Sequence, residues 1–282
     1  MTAIIGIVIV TVCVIGGYLM AHGNIAILVQ PAEFVIIAGA AFGSFVLSSP
    51  MKIIKLTFSS LAGVFKKGGS SKEEYLELLS LLYVIFSKIR KEGLISVESD
   101  VEDPTKSPIF SKYDSVLQNK DALTFITDNL KVIITTNMPA HELDELLSID
   151  IEANSHEQMI PSQAVQKMAD ALPGLGIVAA VLGVVITMGY IDAPPTVLGA
   201  HIGAALIGTF LGVLLCYGYV GPLATNLELK AMEREVYFNV IKASLVSFVG
   251  GAATQIAVES GRRAIPNMER PSFNELESRI RK

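Results

Sequence analysis

The chain has no tryptophan, only two cysteines, and Asp, Glu, Lys and Arg make up just 17% of its 282 residues. Cys13 and Cys216 both fall in apolar runs, which argues against a disulfide framework and gives them a buried apolar role. The four histidines, His22, His141, His156 and His201, lack metal-ligand spacing, and His141 with Glu142 lacks the second histidine of a zinc helix motif. No phosphate-cradling glycine loop, acid pair or activated nucleophile is present. Neither enzyme chemistry, nor a metal, nor a cofactor is expected. The formal charge of −5 is spread through the polar segments and gives no footprint for nucleic acid.

The charges are also missing from particular places. Four windows hold no Asp, Glu, Lys or Arg: Ala3 to Ala21, Phe34 to Met51, Ala171 to Ile191, and Ala193 to Leu227, whose expected span is Val197 to Pro222. With a mean hydropathy of +0.52, this composition predicts an all-α integral membrane protein with four transmembrane helices. Nothing positive precedes the first window and a second follows closely, so the first is read as a span and not as a cleaved signal. All 22 Lys and Arg lie between Lys52 and Lys167 or from Lys230 onward. The positive-inside tendency therefore puts both termini and the long middle segment in the cytoplasm and the two short connections outside.

Ala171 to Tyr190 is the organising stretch. Gly174, Gly176, Ala179, Ala180 and Gly183 give it a shallow face for close helix packing, as do Gly39 and Gly43 in helix two. The expected organisation is 1–51, helices one and two; 52–169, a helical cytoplasmic insert; 170–222, helices three and four; and 223–282, a cytoplasmic helical tail. Within the insert, Ile53 to Phe65 reads as an amphipathic connector ending at Gly68 and Gly69. Ser71 with Glu74 caps a helix over Tyr75 to Ile89. Shorter helices are expected at about Ile109 to Leu117, Ala122 to Thr135 and Ala140 to His156, and Ser272 with Glu275 caps a last one.

An ion path through hydrocarbon needs an ionisable group, and the nearest acids, Glu33, Asp170 and Asp192, sit at window edges. If the protein moves ions, another chain must supply the carrier. Thr209 either faces a wet path or bonds back to the carbonyl four residues earlier, the default also for Thr11 and Thr187. Pro173, read as lying in the first turn of helix three, and Pro222 are hinges or helix ends. Arg90 and Glu98 do not stand out from neighbouring charges.

The segments GGYLMAHGNIAILVQPAEFVIIAGAAFGSF, LPGLGIVAAVLGVV, GTFLGVLLCYGYVGPLA and ERPSFNELE together resemble the MotA family, the A subunits of the bacterial flagellar stator, over nearly the whole chain. The resemblance implies a torque-generating, proton-conducting complex in the inner membrane. A ring of A subunits, five by expectation, surrounds a MotB-type partner that supplies a membrane aspartate, and the insert pushes on the rotor protein FliG. Carried over residue by residue, Arg90, Glu98 and Asp150 are rotor-contacting charges, Pro173 and Pro222 couple protonation to movement, and Ala180 and Thr209 line the ion path. Sodium-driven relatives carry threonine where this chain has Ala180, which offers no side-chain oxygen, so proton drive is expected. The alternative is an ExbB/TolQ-like proton-driven energiser of outer-membrane processes; such chains resemble three-span proteins, and the GGYLM and QPAEF segments of the first two helices argue against it.

Overall fold

The computed structural model describes residues 2–65 and 71–281. The expected connector end at Gly68 and Gly69 lies outside them. In chain order the α-helices are α1 (Thr2–Met20), α2 (Ile25–Leu28), α3 (Pro31–Ser48), α4 (Met51–Val64), α5 (Lys72–Glu92), α6 (Glu98–Glu102), α7 (Asp114–Gln118), α8 (Lys120–Thr136), α9 (Ala140–Met188), α10 (Pro195–Leu214), α11 (Gly221–Val249), α12 (Thr254–Ala264) and α13 (Phe273–Ile280). A π-helical turn, Leu215–Val220, joins α10 to α11. Among the described residues, four segments are long and apolar enough to cross a membrane: Thr2–Met20, Ile25–Ser48, Ala140–Met188 and Pro195–Val249.

Two expectations change. The acidic helix at Ala140 to His156 and helix three are one continuous helix of 49 residues, with Pro161 and Pro173 inside it. Pro173 is therefore interior and not in a first turn. A proline removes one backbone hydrogen bond, and the surrounding helical bonds and packing can carry that loss. The helix expected at Ile109 to Leu117 is instead a 3-10 turn, Phe110–Lys112, followed by α7.

The chain forms two compact units, residues 1–68 with 158–230 and residues 69–157 with 231–282. In the first, the apolar faces are only partly covered. Ile37, Ala41, Ala169, Leu172, Ala179 and Cys216 form one small core, and Val64, Val165, Ala224 and Leu227 another. No residue of α1 is buried, as fits a helix whose solvent is lipid or another chain. Lys230 Nζ donates to Gly63 O at 2.8 Å and so neutralises the carbonyl end of α4.

The second unit is built around α5. Ser71 Oγ accepts from Glu74 N, and Gly93, at φ 87°, ends the helix in a conformation that favours glycine. Between them Leu78, Leu79, Leu81, Leu82, Ile85 and Phe86 are fully buried, and Val84 faces outward. Phe86 stacks on Phe248 with ring centroids 4.3 Å apart, and Tyr75 packs on Tyr237 at 5.6 Å. Burial raises the Tyr237 hydroxyl well above the ordinary tyrosine range. The tail docks by burying Leu276 in this core, and at the rim Lys72 meets Glu275 at 2.6 Å and Arg279 meets Glu73 at 2.7 Å. Ser272 and Glu275 form the expected reciprocal capping box.

Candidate ion path and coupling site

Helices α9 and α10 approach until backbone meets backbone, because glycines stand at the contact. A Cβ on Gly212 would fall 2.6 Å from Leu172 O, and one on Gly176 would fall 2.8 Å from Gly208 O. Nearer the α9 C-terminus, a Cβ on Gly183 would fall 2.9 Å from Ala205 Cα. The shallow face read from the sequence is thus used by Gly176 and Gly183, whereas Gly174 has open space.

Ala180 and Thr209, expected to line an ion path, sit at this crossing. A Cβ on Gly208 would lie 3.0 Å from Ala180 N, so Ala180 of α9 and Thr209 of α10 flank one close contact. Thr11 and Thr187 bond back to the carbonyls four residues earlier, both at 2.8 Å. Among the described residues, Thr209 Oγ1 makes no such bond.

Glu33 corrects the sequence reading. The side chain does not stay at the edge of the span: it is 92% buried, and Oε2 is enclosed without a hydrogen-bond partner. Its neighbours are the glycines just described, since a Cβ on Gly208 would come within 2.8 Å of Glu33 Oε2.

Pro173 and Pro222 lie in different settings. Pro173 is half-buried within α9, beside the Leu172 carbonyl that Gly212 approaches. Pro222 is exposed and follows the π turn, whose wider winding accommodates a residue lacking an N–H. That turn is fastened to α1 by a 2.9 Å hydrogen bond between Thr11 and Tyr219. Beside it is a cavity of about 300 Å³ lined by Gly6, Val10, Tyr217, Pro222 and Asn226, and Asn226 Oδ1 is buried without a partner.

The rotor-facing candidates belong to the second unit. Glu98 and Asp150 are exposed. Arg90 is exposed too, but its guanidinium is engaged: Nη2 donates to Gly251 O at 2.8 Å and Ala252 O at 2.5 Å, and Cζ lies 5.5 Å from the Phe248 ring centre. It holds the turn between α11 and α12. Among the described residues no group of three His, Cys, Asp or Glu is placed to hold a metal.

Comparison with known proteins decides the family. The model for the motility protein A N-terminal region matches residues 4–93, and that for the MotA/TolQ/ExbB proton channel family matches residues 118–238. Motility protein A of Escherichia coli is 43% identical over 100% of this chain and 95% of its own length. The chain belongs to the motility protein A family. Family members from Salmonella typhimurium, at 41% identity, and Vibrio parahaemolyticus, the chemotaxis protein LafT at 37%, also align over 95% or more of both chains. Among solved structures, MotAB of C. jejuni superimposes with a TM-score of 0.80 at 19% identity, over 96% of this chain and 98% of that one. The flagellar MotAB stator complex of Bacillus subtilis gives 0.78 at 22% identity, over 95% and 97%. The fold is that of motility protein A, and the N-terminal match covers the first two helices.

Proposed function

We propose that this chain is the A subunit of a flagellar stator, which with a MotB-type B subunit conducts protons across the inner membrane and converts their flow into torque. The observation that carries this is the alignment with motility protein A of Escherichia coli, 43% identical along the whole chain. The backbone crossing of α9 and α10, with Ala180 and Thr209 at its centre, supports an ion path there. The membrane aspartate comes from the B subunit. Ala180 gives no oxygen to a dehydrated sodium ion, which favours the proton. Self-association into a ring of five A subunits would cover the apolar surfaces left open on α1, α9 and α10.

Both termini, the insert at 52–169 and the tail at 223–282 are cytoplasmic in this reading. Arg90, Glu98 and Asp150 contact FliG, where charges steer and register a contact broken at each step. Pro173 and Pro222 transmit protonation to the cytoplasmic unit. The test is torque on tethered beads in cells lacking their own stator, with this chain and its B subunit supplied together. Rotation in sodium-free medium that stops with a protonophore is expected. Loss of torque on sodium removal overturns proton drive, and no rotation despite insertion and B-subunit binding returns the reading to an ExbB/TolQ-like energiser.

A further inference from the structure

Among the described residues of Thr2–Met20, Ile25–Ser48, 171–188 and Pro195–Leu214, Glu33 alone is Asp, Glu, Lys or Arg. It is the third residue of α3, after Pro31 at the first position. A glutamate there usually turns back to the N-cap N–H, but Gln30 N is donated to Leu28 O at 3.1 Å instead. The Glu33 side chain points the other way, into the notch formed by Gly183 and Gly208. A Cβ on Gly183 would stand 3.6 Å from Oε1 and one on Gly208 2.8 Å from Oε2. Gly183 lies five residues before the end of α9 at Met188, a depth of about 7 Å along the helix.

We propose that Glu33 is a proton-carrying residue of the ion path, a carboxyl contributed by this chain in series with the one its partner supplies. The proposal rests on the stator reading above. A single carboxylate among glycine and alanine offers too few oxygens to hold a dehydrated metal cation. An ionised carboxylate with an unpaired oxygen is costly in that surrounding, and a proton relieves the cost without a ligand cage. In the step itself, Oε2 forms an O–H bond with a proton from hydronium at the outer side, leaving water. That O–H bond then breaks, the proton passes to the partner chain's carboxylate, and Glu33 returns to its ionised form. Gly208 admits the carboxyl, and Ala180 and Thr209 flank the same contact, so the residue stands beside the path. A merely structural role would predict a hydrogen-bond partner for Oε2, and none exists among the described residues.

The experiment uses the full complex with its B subunit in liposomes enclosing a pH-sensitive dye, with proton entry driven by an imposed membrane potential. E33Q keeps the shape and removes the titrating group. We expect it to copurify with the B subunit in wild-type amounts and to conduct at least tenfold more slowly, while E33D retains part of the flux. Flux through assembled E33Q within twofold of wild type overturns the proposal and leaves the stator reading standing. Absence of flux through the wild-type complex overturns both. Should E33Q fail to assemble, infrared difference spectra of the wild-type complex on proton loading decide. With isotope-labelled glutamate, a label-sensitive C=O band at the frequency of a carboxyl without hydrogen bonds supports Glu33, since the partner's group is an aspartate, and its absence overturns it.

Discussion

Gly176 and Gly212 touch through their backbones: a Cβ on Gly212 would lie 2.9 Å from Gly176 Cα, and one on Gly176 3.1 Å from Gly212 Cα. No rotamer change relieves such a contact, because both sides are main chain. G212A should therefore force α9 and α10 apart, at about 1–3 kcal/mol or more. Thermal unfolding of the purified protein and swimming in soft agar should both fall sharply. G174A, where the added methyl meets open space, should change neither; equal damage from the two substitutions would refute the crossing.

A second prediction concerns the loop after α6. Asp100 is 4% exposed, accepts from Lys88 Nζ at 2.8 Å and from Ser107 Oγ at 2.6 Å, and Ser107 in turn accepts from the N–H groups of Ile109 and Phe110. D100A removes the centre of this chain and leaves Lys88 without its counter-charge. The expected loss is about 2–3 kcal/mol, somewhat below that for a fully buried pair because Lys88 is partly solvated. Hydrogen exchange at Ile109 and Phe110 should accelerate first, and unchanged protection there would contradict it.

Arg90 has a structural role at Gly251 and Ala252, and the stator reading gives it a second at the rotor. R90A removes two charge-assisted hydrogen bonds from the turn after α11 and should cost about 1–2 kcal/mol locally, read as faster exchange around Gly251. Reversing Arg90 or Glu98 should in addition weaken torque at unchanged membrane insertion. If single and double reversals leave motility untouched, these are not rotor contacts.

The tail should loosen in acid. Arg262, and then Arg263, hold the Glu259 carboxyl down from 4.5 to about 2. A depressed carboxylate contributes stability that is complete above its ordinary value near 4.5 and is lost as pH falls through about 2. After screening at this partly exposed cluster the contribution is about 1 kcal/mol. Arg262 also donates to Pro271 O at 2.8 Å, so protease cleavage within 262–272 should rise between these pH values. E259Q should be cut faster already at neutral pH and show a flatter pH response.

The four spans and the buried helix α5 were legible because uncharged length and helical spacing are properties of one segment at a time. The depth of Glu33 was not, since it depends on where α9 and α10 stand beside it. A local signal existed: Pro31 reads as a first helical position, which puts Glu33 inside the helix. The continuity of α9 was hidden by Pro173, which reads as a first-turn residue when it is judged without the helix before it. Arg90 read as one solvated charge among several because its carbonyl partners at Gly251 and Ala252 are remote in sequence. No residue type marks the π turn.

That turn sets a phase. A π-helical residue advances less around the axis than an α-helical one, so six of them, Leu215–Val220, leave the chain lagging by roughly one α-helical residue, about 100°. In an α-helix a count by fours, Gly208, Gly212, Cys216, Val220 and Ala224, drifts by about 40° a step, and the lag takes back most of that drift. Cys216 and Ala224 thus both stay buried, the first beside Ile37 and Ala41 and the second beside Val64 and Val165.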